Sequence, residues 1–291
     1  INLKVKFSKN LKNLGTETAF AVSAEASAWS NLGNKIYPFH LGDMNLQTPK
    51  TIRQATTKYM NEGRNGYCAS EGLIDLREEL AFDVGTKRNV KYNYKNIIIQ
   101  PGGKPTIWKF IASITNKGDE VLYPNPGYPI YESQIRYQGG VPVPYGYIET
   151  NNGFVIDIEQ LKSVITPKTK ALVYNNYQNP TGASSSKEEM SLISNLCIEN
   201  NLWVLSDDAY FEIRYTDKLP LSIVNLPGMK ERTVILYTFS KRFAMTGWRI
   251  GASIGPENIM RKIAKLNIND ESCTNHFIQC ALAESLGNIG D

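Results

Sequence analysis

The residues with the clearest chemical potential fall in short polar stretches, each following an apolar, β-branched run. Ser240-Lys241 comes after Thr233 to Phe239, and Arg249 stands eight residues beyond the lysine. Asp207-Asp208-Ala209-Tyr210 closes the run Leu202 to Ser206, and Asn179-Pro180-Thr181-Gly182 follows Lys170 to Asn175. Upstream, Pro101-Gly102-Gly103-Lys104 follows Asn96 to Gln100, and Gly127-Tyr128-Pro129 comes after Glu120 to Tyr123. A lysine amine attacks a carbonyl carbon once it has lost its proton, which burial and a neighbouring cation promote. An arginine fork grips an oxyanion, and a glycine-rich turn opening a helix offers it backbone N–H groups. An amine, a carboxylate, two phenols and an anion cradle would then meet in one crevice. The cradle is not a P-loop: G-x-x-x-x-G-K-[ST] fails at Ile98 and at Pro105.

These stretches share a crevice only if the runs are strands of one sheet, since open α/β sheets bind ligands at their carboxyl ends. From Ile97 onward, β-branched runs alternate with amphipathic segments. That alternation predicts an α/β fold, a mainly parallel sheet flanked by helices. Strands are expected over 96–100, 120–123, 170–175, 202–206, 233–239 and 248–254. A helix should run from Pro105 to about Thr115, proline being favoured at the first helical position. Another should run toward Gly139-Gly140. Asp157 with Gln160, and Ser186 with Glu189, read as capping boxes, the second opening a helix with Met190, Ile193 and Cys197 as a buried stripe. Helices are also expected over 256–266 and 272–286. Residues 1–48 read as an irregular arm and part of a small domain, and 49–291 as a large domain. Asn288-Ile289-Gly290-Asp291 follows a helix without a further strand or cap, so the expectation is a chain lacking a C-terminal small domain.

Composition narrows the function classes. The 291 residues carry 32 Lys+Arg against 28 Asp+Glu, and 32 − 28 leaves a net charge of +4 with no basic block. Polyanion binding is therefore not the expected function. Cys68, Cys197, Cys273 and Cys280 form no C-x-x-C pair and only two histidines accompany them, so no metal site is expected and free thiols are. No apolar run approaches the roughly 18 residues of a membrane span. Ile1 to Phe7 holds no apolar core for a secretory signal, and a cytoplasmic location is expected.

Ser240-Lys241-x-x-Ala244-x-Thr246-Gly247-Trp248-Arg249-Ile250-Gly251 resembles the cofactor-lysine motif of class I/II aminotransferases, which are fold-type I pyridoxal-phosphate enzymes. Four further matches keep the family's order: Asn179-Pro180-Thr181-Gly182, Asp207-x-x-Tyr210, Tyr67-x-x-x-x-Gly72 before Leu76-Arg77, and Leu41-Gly42 before Thr48-Pro49. The resemblance implies the large-domain fold of that class, pyridoxal 5'-phosphate as cofactor, and a role for each matched residue. Lys241 would bind the cofactor as a Schiff base and act as base. Arg249, Thr238, Ser240 and the backbone of Gly103 and Lys104 would hold its phosphate. Asp207 would face the pyridine nitrogen, the Asp-x-x-Tyr spacing selecting it over Asp208. Tyr210 and Asn179 would hydrogen-bond the phenolic oxygen, and Tyr128 would stack on the ring. Gly42 and Asn179 would adjoin the substrate. Tyr67 would reach the phosphate of the neighbouring subunit, which implies a homodimer. The family's carboxylate-binding arginine has no counterpart before Asp291.

The expected function is transfer of an amino group between an L-amino acid and a 2-oxo acid by a ping-pong route. The alternative is a lyase or decarboxylase using the same electron sink. A cofactor-binding sensor would carry a nucleic-acid module, and no basic or helix-turn-helix segment occupies the first 50 residues. No nucleic acid or membrane partner is expected.

Overall fold

Three consecutive isoleucines decide which side of the sheet is which. Ile97 and Ile99 enter one apolar cluster with Leu76, Leu80 and Val84, while Ile98 enters a second with Ile107, Phe110 and Ile111. Side chains alternate across a strand, so each run of β-branched residues feeds two cores at once. The computed structural model describes residues 6–15 and 18–288. Most of the Ile1–Phe7 stretch read for a signal, and 289–291 of the stretch read as an incomplete end, lie outside the described residues.

The chain opens with α1 (Thr18–Asn31), α2 (Lys50–Asn61) and α3 (Ile74–Arg88) before β1 (Ile97–Gln100) and α4 (Lys104–Ile114). Next come β2 (Glu120–Pro124), α5 (Ile130–Tyr137) and β3 (Val141–Tyr145), then the hairpin β4 (Tyr147–Thr150) and β5 (Gly153–Ile156) and the short α6 (Ile158–Ser163). β6 (Thr169–Asn175), α7 (Lys187–Glu199) and β7 (Trp203–Asp207) lead to β8 (Thr233–Thr238) and the one-turn α8 (Phe239–Arg242). β9 (Gly251–Ile254), α9 (Glu257–Asn269) and α10 (His276–Ser285) follow. Seven strands form one sheet in the order β1-β9-β8-β7-β6-β2-β3. β8, β7, β6, β2 and β3 run parallel, and β9 is antiparallel to both β8 and β1. α3 and α10 cover one face with Leu76, Leu80 and Leu282, and α4, α5 and α9 cover the other with Phe110, Ile135 and Ile263. No helix among the described residues is long and apolar enough to cross a membrane.

The mainly parallel sheet is as expected, but several boundaries move for local reasons. The strand expected to reach Phe239 stops at Thr238, whose hydroxyl caps α8. The strand expected from Trp248 begins at Gly251, because Thr246–Trp248 is a 3-10 turn and Arg249 is left-handed. The helix expected from Ser272 starts at His276: Ser272 has φ +64°, and the Asn275 side chain caps the helix by accepting the Ile278 N–H. Pro105 is the second helical residue, after Lys104. Neither capping box is reciprocal. Asp157 and Ser186 cap as expected, but Gln160 instead accepts the Gly146 N–H and Glu189 the Ile156 N–H. Both side chains are diverted to tertiary contacts. The arm is more regular than its sequence suggests, since α1 occupies 18–31; none of the described side chains of α1 is buried.

Candidate active site

At the carboxyl ends of β7 and β8 the chain reverses sharply, and short-range capping fixes how. The Thr238 hydroxyl accepts the Ser240 N–H at 3.2 Å and lies 2.9 Å from Ser240 Oγ. This cap starts α8, a single turn that carries Lys241. Lys241 Nζ donates to the carbonyl of Gly42 and lies 6.0 Å from the Tyr210 ring centre. A methyl group on Gly42 would stand 3.4 Å from that amine and 3.5 Å from the Tyr210 hydroxyl. The arm thus supplies a bare backbone surface on which even a methyl group would touch both groups.

Strand alternation separates the two aspartates. Val204 enters the α3-side core and Leu205 the α4-side core. Ser206 and Asp208 therefore face α3, and Asp207 faces α4 and α5. Arg88 Nε and Nη2 donate to Asp208 Oδ2 at 2.9 and 2.7 Å, and the Ser206 hydroxyl donates to Oδ1 at 2.6 Å. Asp207 has no cationic partner among the described residues. It accepts the Tyr131 hydroxyl at 2.6 Å and the Ala209 N–H at 3.2 Å. Burial pushes its carboxyl up to about 6, against the pull of those two bonds. Burial lifts Asp208 too, with Arg88 opposing it. Burial, and then the Asp207 charge, raise the Tyr210 phenol, which is therefore a hydrogen-bond donor at neutral pH.

The anion cradle forms where β1 meets α4. Gly102 has φ +98°, a left-handed conformation that a side chain resists, and any Cβ there would collide with the Arg249 guanidinium. Gly103 caps α4 with no side chain of its own, and a Cβ there would press Leu236 at 2.8 Å. No side chain among the described residues caps the positive end of this helix. Arg249 itself is held at φ +54°, a conformation costing about 1 kcal/mol for a residue with a Cβ. Its Nη1 donates to the Thr246 carbonyl at 2.6 Å. The Tyr128 ring meets Tyr131 edge-on with centres 5.7 Å apart, and Lys104 Nζ lies 5.7 Å from the Tyr128 ring centre.

Asn179 and Tyr210 share the wall of a cavity of about 480 Å³ with Tyr177, Ile213 and Arg214. A hollow of about 530 Å³ at the amino ends of β6 and β7 holds none of the sequence-derived residues. Lys241, Tyr210 and Gly42 meet directly, Asp207 adjoins Tyr210, and Thr238, Ser240, Gly103 and Arg249 gather around the start of α4. Tyr67 stands apart, 89% exposed and outside these contacts. The sequence reading missed Tyr131, which lies on a helix with no distinguishing pattern. It also missed Asn175, whose Nδ2 donates to the Asp207 carbonyl at 2.9 Å and whose Oδ1 accepts the Asn179 N–H at 2.8 Å. A polar residue ending an apolar strand was the available signal. Chemically, the arrangement offers an amine for a carbonyl carbon, a carboxylate with no cation among the described residues for a cationic nitrogen, and a helix start for a dianion.

Comparison with known proteins gives the same picture. The profile for aminotransferase class I and II matches residues 30–288. The aspartate aminotransferase of Bacillus subtilis is 35% identical over 263 residues, covering 90% of this chain and 67% of the relative. A probable aspartate/prephenate aminotransferase of Aquifex aeolicus is 33% identical, covering 96% of this chain and 71% of the relative. The structure of aspartate aminotransferase from Thermus thermophilus with maleate superposes with a TM-score of 0.92 at 28% identity, over 98% of this chain and 73% of that one.

Proposed function

The chain belongs to the class I and II aminotransferases, and from that premise we propose that it uses pyridoxal 5'-phosphate to exchange amino groups between an L-amino acid and a 2-oxo acid. One observation carries the reading: Lys241 Nζ, the Tyr210 hydroxyl and the bare Cα of Gly42 converge one strand away from a buried carboxylate without a cation.

The residues fit that cofactor. The uncapped start of α4 with Arg249 laid against Gly102 suits a phosphate, and the hydroxyls of Thr238 and Ser240 border it. Asp207, pushed up to about 6, is poised to be stabilised as an anion by a ring N–H⁺. Tyr210 and Asn179 are assigned to the phenolic oxygen and Tyr128 to the ring face. When bound, the cofactor's protonated ring supplies an electron sink for negative charge on the substrate α-carbon.

Lys241 would hold the cofactor through Nζ, and its neutral amine would be the base that takes the α-proton. Its neutral form is the working one, and the Gly42 carbonyl that accepts from Nζ aims it. Asp207 holds the ring nitrogen protonated, while Tyr131 and Ala209 keep the carboxylate oriented. The donor departs as an oxo acid before the acceptor enters, a two-stage order. Tyr67, exposed on its own chain, is assigned to the phosphate of a second copy in a homodimer. The relatives' names make aspartate the first donor to try.

The test is a single half-reaction. Loaded protein mixed with an amino-acid panel led by aspartate, without acceptor, should release one oxo acid per site. Release of ammonia or carbon dioxide in its place would assign a lyase or decarboxylase, and no release from any donor would end the transferase reading.

A further inference from the structure

Three of the segments that carry site residues turn a nearby side chain toward the end of α3. Asp208, next to Asp207, is bound by Arg88 with both side chains under 5% exposed. Glu212, two residues after Tyr210, receives Lys87 Nζ at 3.1 Å. Arg242, next to Lys241, places Nη1 and Nη2 at 2.6 and 3.2 Å from the two carboxylate oxygens of Asp83. These charges close on themselves. Lys87 lies 3.2 Å from Asp83 one turn earlier, and Arg242 lies 3.7 Å from Glu212. The result is a ring of alternating sign, Asp83–Arg242–Glu212–Lys87, with every side chain 10–16% exposed. Arg88 also lays its guanidinium 3.7 Å from the centre of the buried Phe211 ring. One helix therefore grips both strand ends and the α8 turn.

We propose that Asp83, Lys87 and Arg88 are positioning residues, and that the last two turns of α3 set the spacing of Lys241, Tyr210 and Asp207; the roles of those three rest on the reading above. Stability alone is a poor explanation. A shielded ion pair gains little over well-packed apolar side chains of the same volume, and α3 already buries Leu76, Leu80 and Val84. What a two-nitrogen fork adds is direction. Lys241 sits on a single helical turn, and a displacement of about 1 Å at a reacting group costs about a hundredfold in rate. The side chains that hold such a group must fix it to about 0.5 Å.

The test compares Asp83→Asn with the wild type in loaded and cofactor-free protein. Asp83→Asn should lower kcat about ten- to a hundredfold while KM moves less than about threefold. The pH midpoint of the visible absorbance of the loaded protein should move by about half a unit or more. In cofactor-free protein, reductive methylation of Lys241 with formaldehyde, read by mass spectrometry, should change about threefold or more, a modest coupling within one network. Half-buried Lys170 should be unaffected, and Asp83→Glu should restore most of the effect. Should Asp83→Asn not fold, Arg242→Lys keeps the charge, removes the fork, and is read the same way. A variant that only melts earlier, with kcat, midpoint and methylation rate unchanged, would overturn the proposal. If the wild type itself neither takes up cofactor nor turns over, the functional reading falls, and the methylation rate still decides the clamp.

Discussion

Asp207 and Asp208 are adjacent in sequence and both buried, yet they are satisfied in different ways. Asp208 faces α3, where Arg88 and Ser206 satisfy it. Asp207 faces α4 and α5, where a tyrosine hydroxyl and one backbone N–H are its partners. The same contrast extends along the sheet edge. On the α3 face Asp83, Lys87, Arg88, Asp208, Glu212 and Arg242 are paired with opposite charges within the fold. On the α4 face lie an uncapped helix start, an exposed guanidinium and a carboxylate lifted to about 6. A buried charge matched internally fixes the side chains around it, whereas one left short of a countercharge is open to a cation from a ligand.

Substitutions on each face should sharpen that contrast or break it. Lys241→Ala carries the largest expected effect, abolishing turnover and covalent cofactor attachment while leaving the melting temperature of the cofactor-free protein near wild type. Arg88→Met strands Asp208 without its cation and should cost about 3–5 kcal/mol in denaturant unfolding. Asp207→Asn should lose about 10²–10³-fold in kcat with no loss of stability in cofactor-free protein. Its pH dependence gives the sign. The folded carboxyl sits at about 6 against its ordinary 3.8, so its contribution to stability is full below 3.8 and is lost as pH rises through 6. The Asn variant should therefore gain on the wild type in melting temperature between pH 4 and pH 7. A difference that stays flat across that window would contradict the account.

Smaller effects are expected at the cradle and the arm. Arg249→Ala should weaken cofactor binding about ten- to a hundredfold by equilibrium dialysis, with little change in turnover at saturating cofactor. Gly42→Ala places a methyl at van der Waals distance, 3.4 Å, from Lys241 Nζ and should raise KM by no more than about threefold, since it takes up open space beside the amine without a clash.

The α4 face was largely legible in the sequence and the α3 face was not. Gly103, Asp207, Tyr210, Lys241 and Arg249 sit on local patterns, a turn, a strand end or a helix cap, that short stretches specify alone. The Asp-x-x-Tyr spacing favours Asp207 over Asp208, and the Arg88–Asp208 pair, 120 positions apart, is not visible in any short stretch. Asp83, Lys87 and Arg88 look like an ordinary charged helix end, since their meaning depends on Glu212 and Arg242, more than a hundred positions away. Tyr131 was hidden for the same reason, 76 positions from Asp207. The capping boxes were half right: local chemistry fixed Asp157 and Ser186, while remote backbone claimed Gln160 and Glu189.

The central claim is that one particular amine carries the cofactor. Loading the protein with pyridoxal 5'-phosphate, reducing with borohydride and mapping peptides tests it directly. The account predicts a single modified peptide, with the added mass on Lys241 and none after Lys241→Ala. Modification concentrated on Lys104 or any other lysine, or an unmodified protein under saturating cofactor, would contradict it.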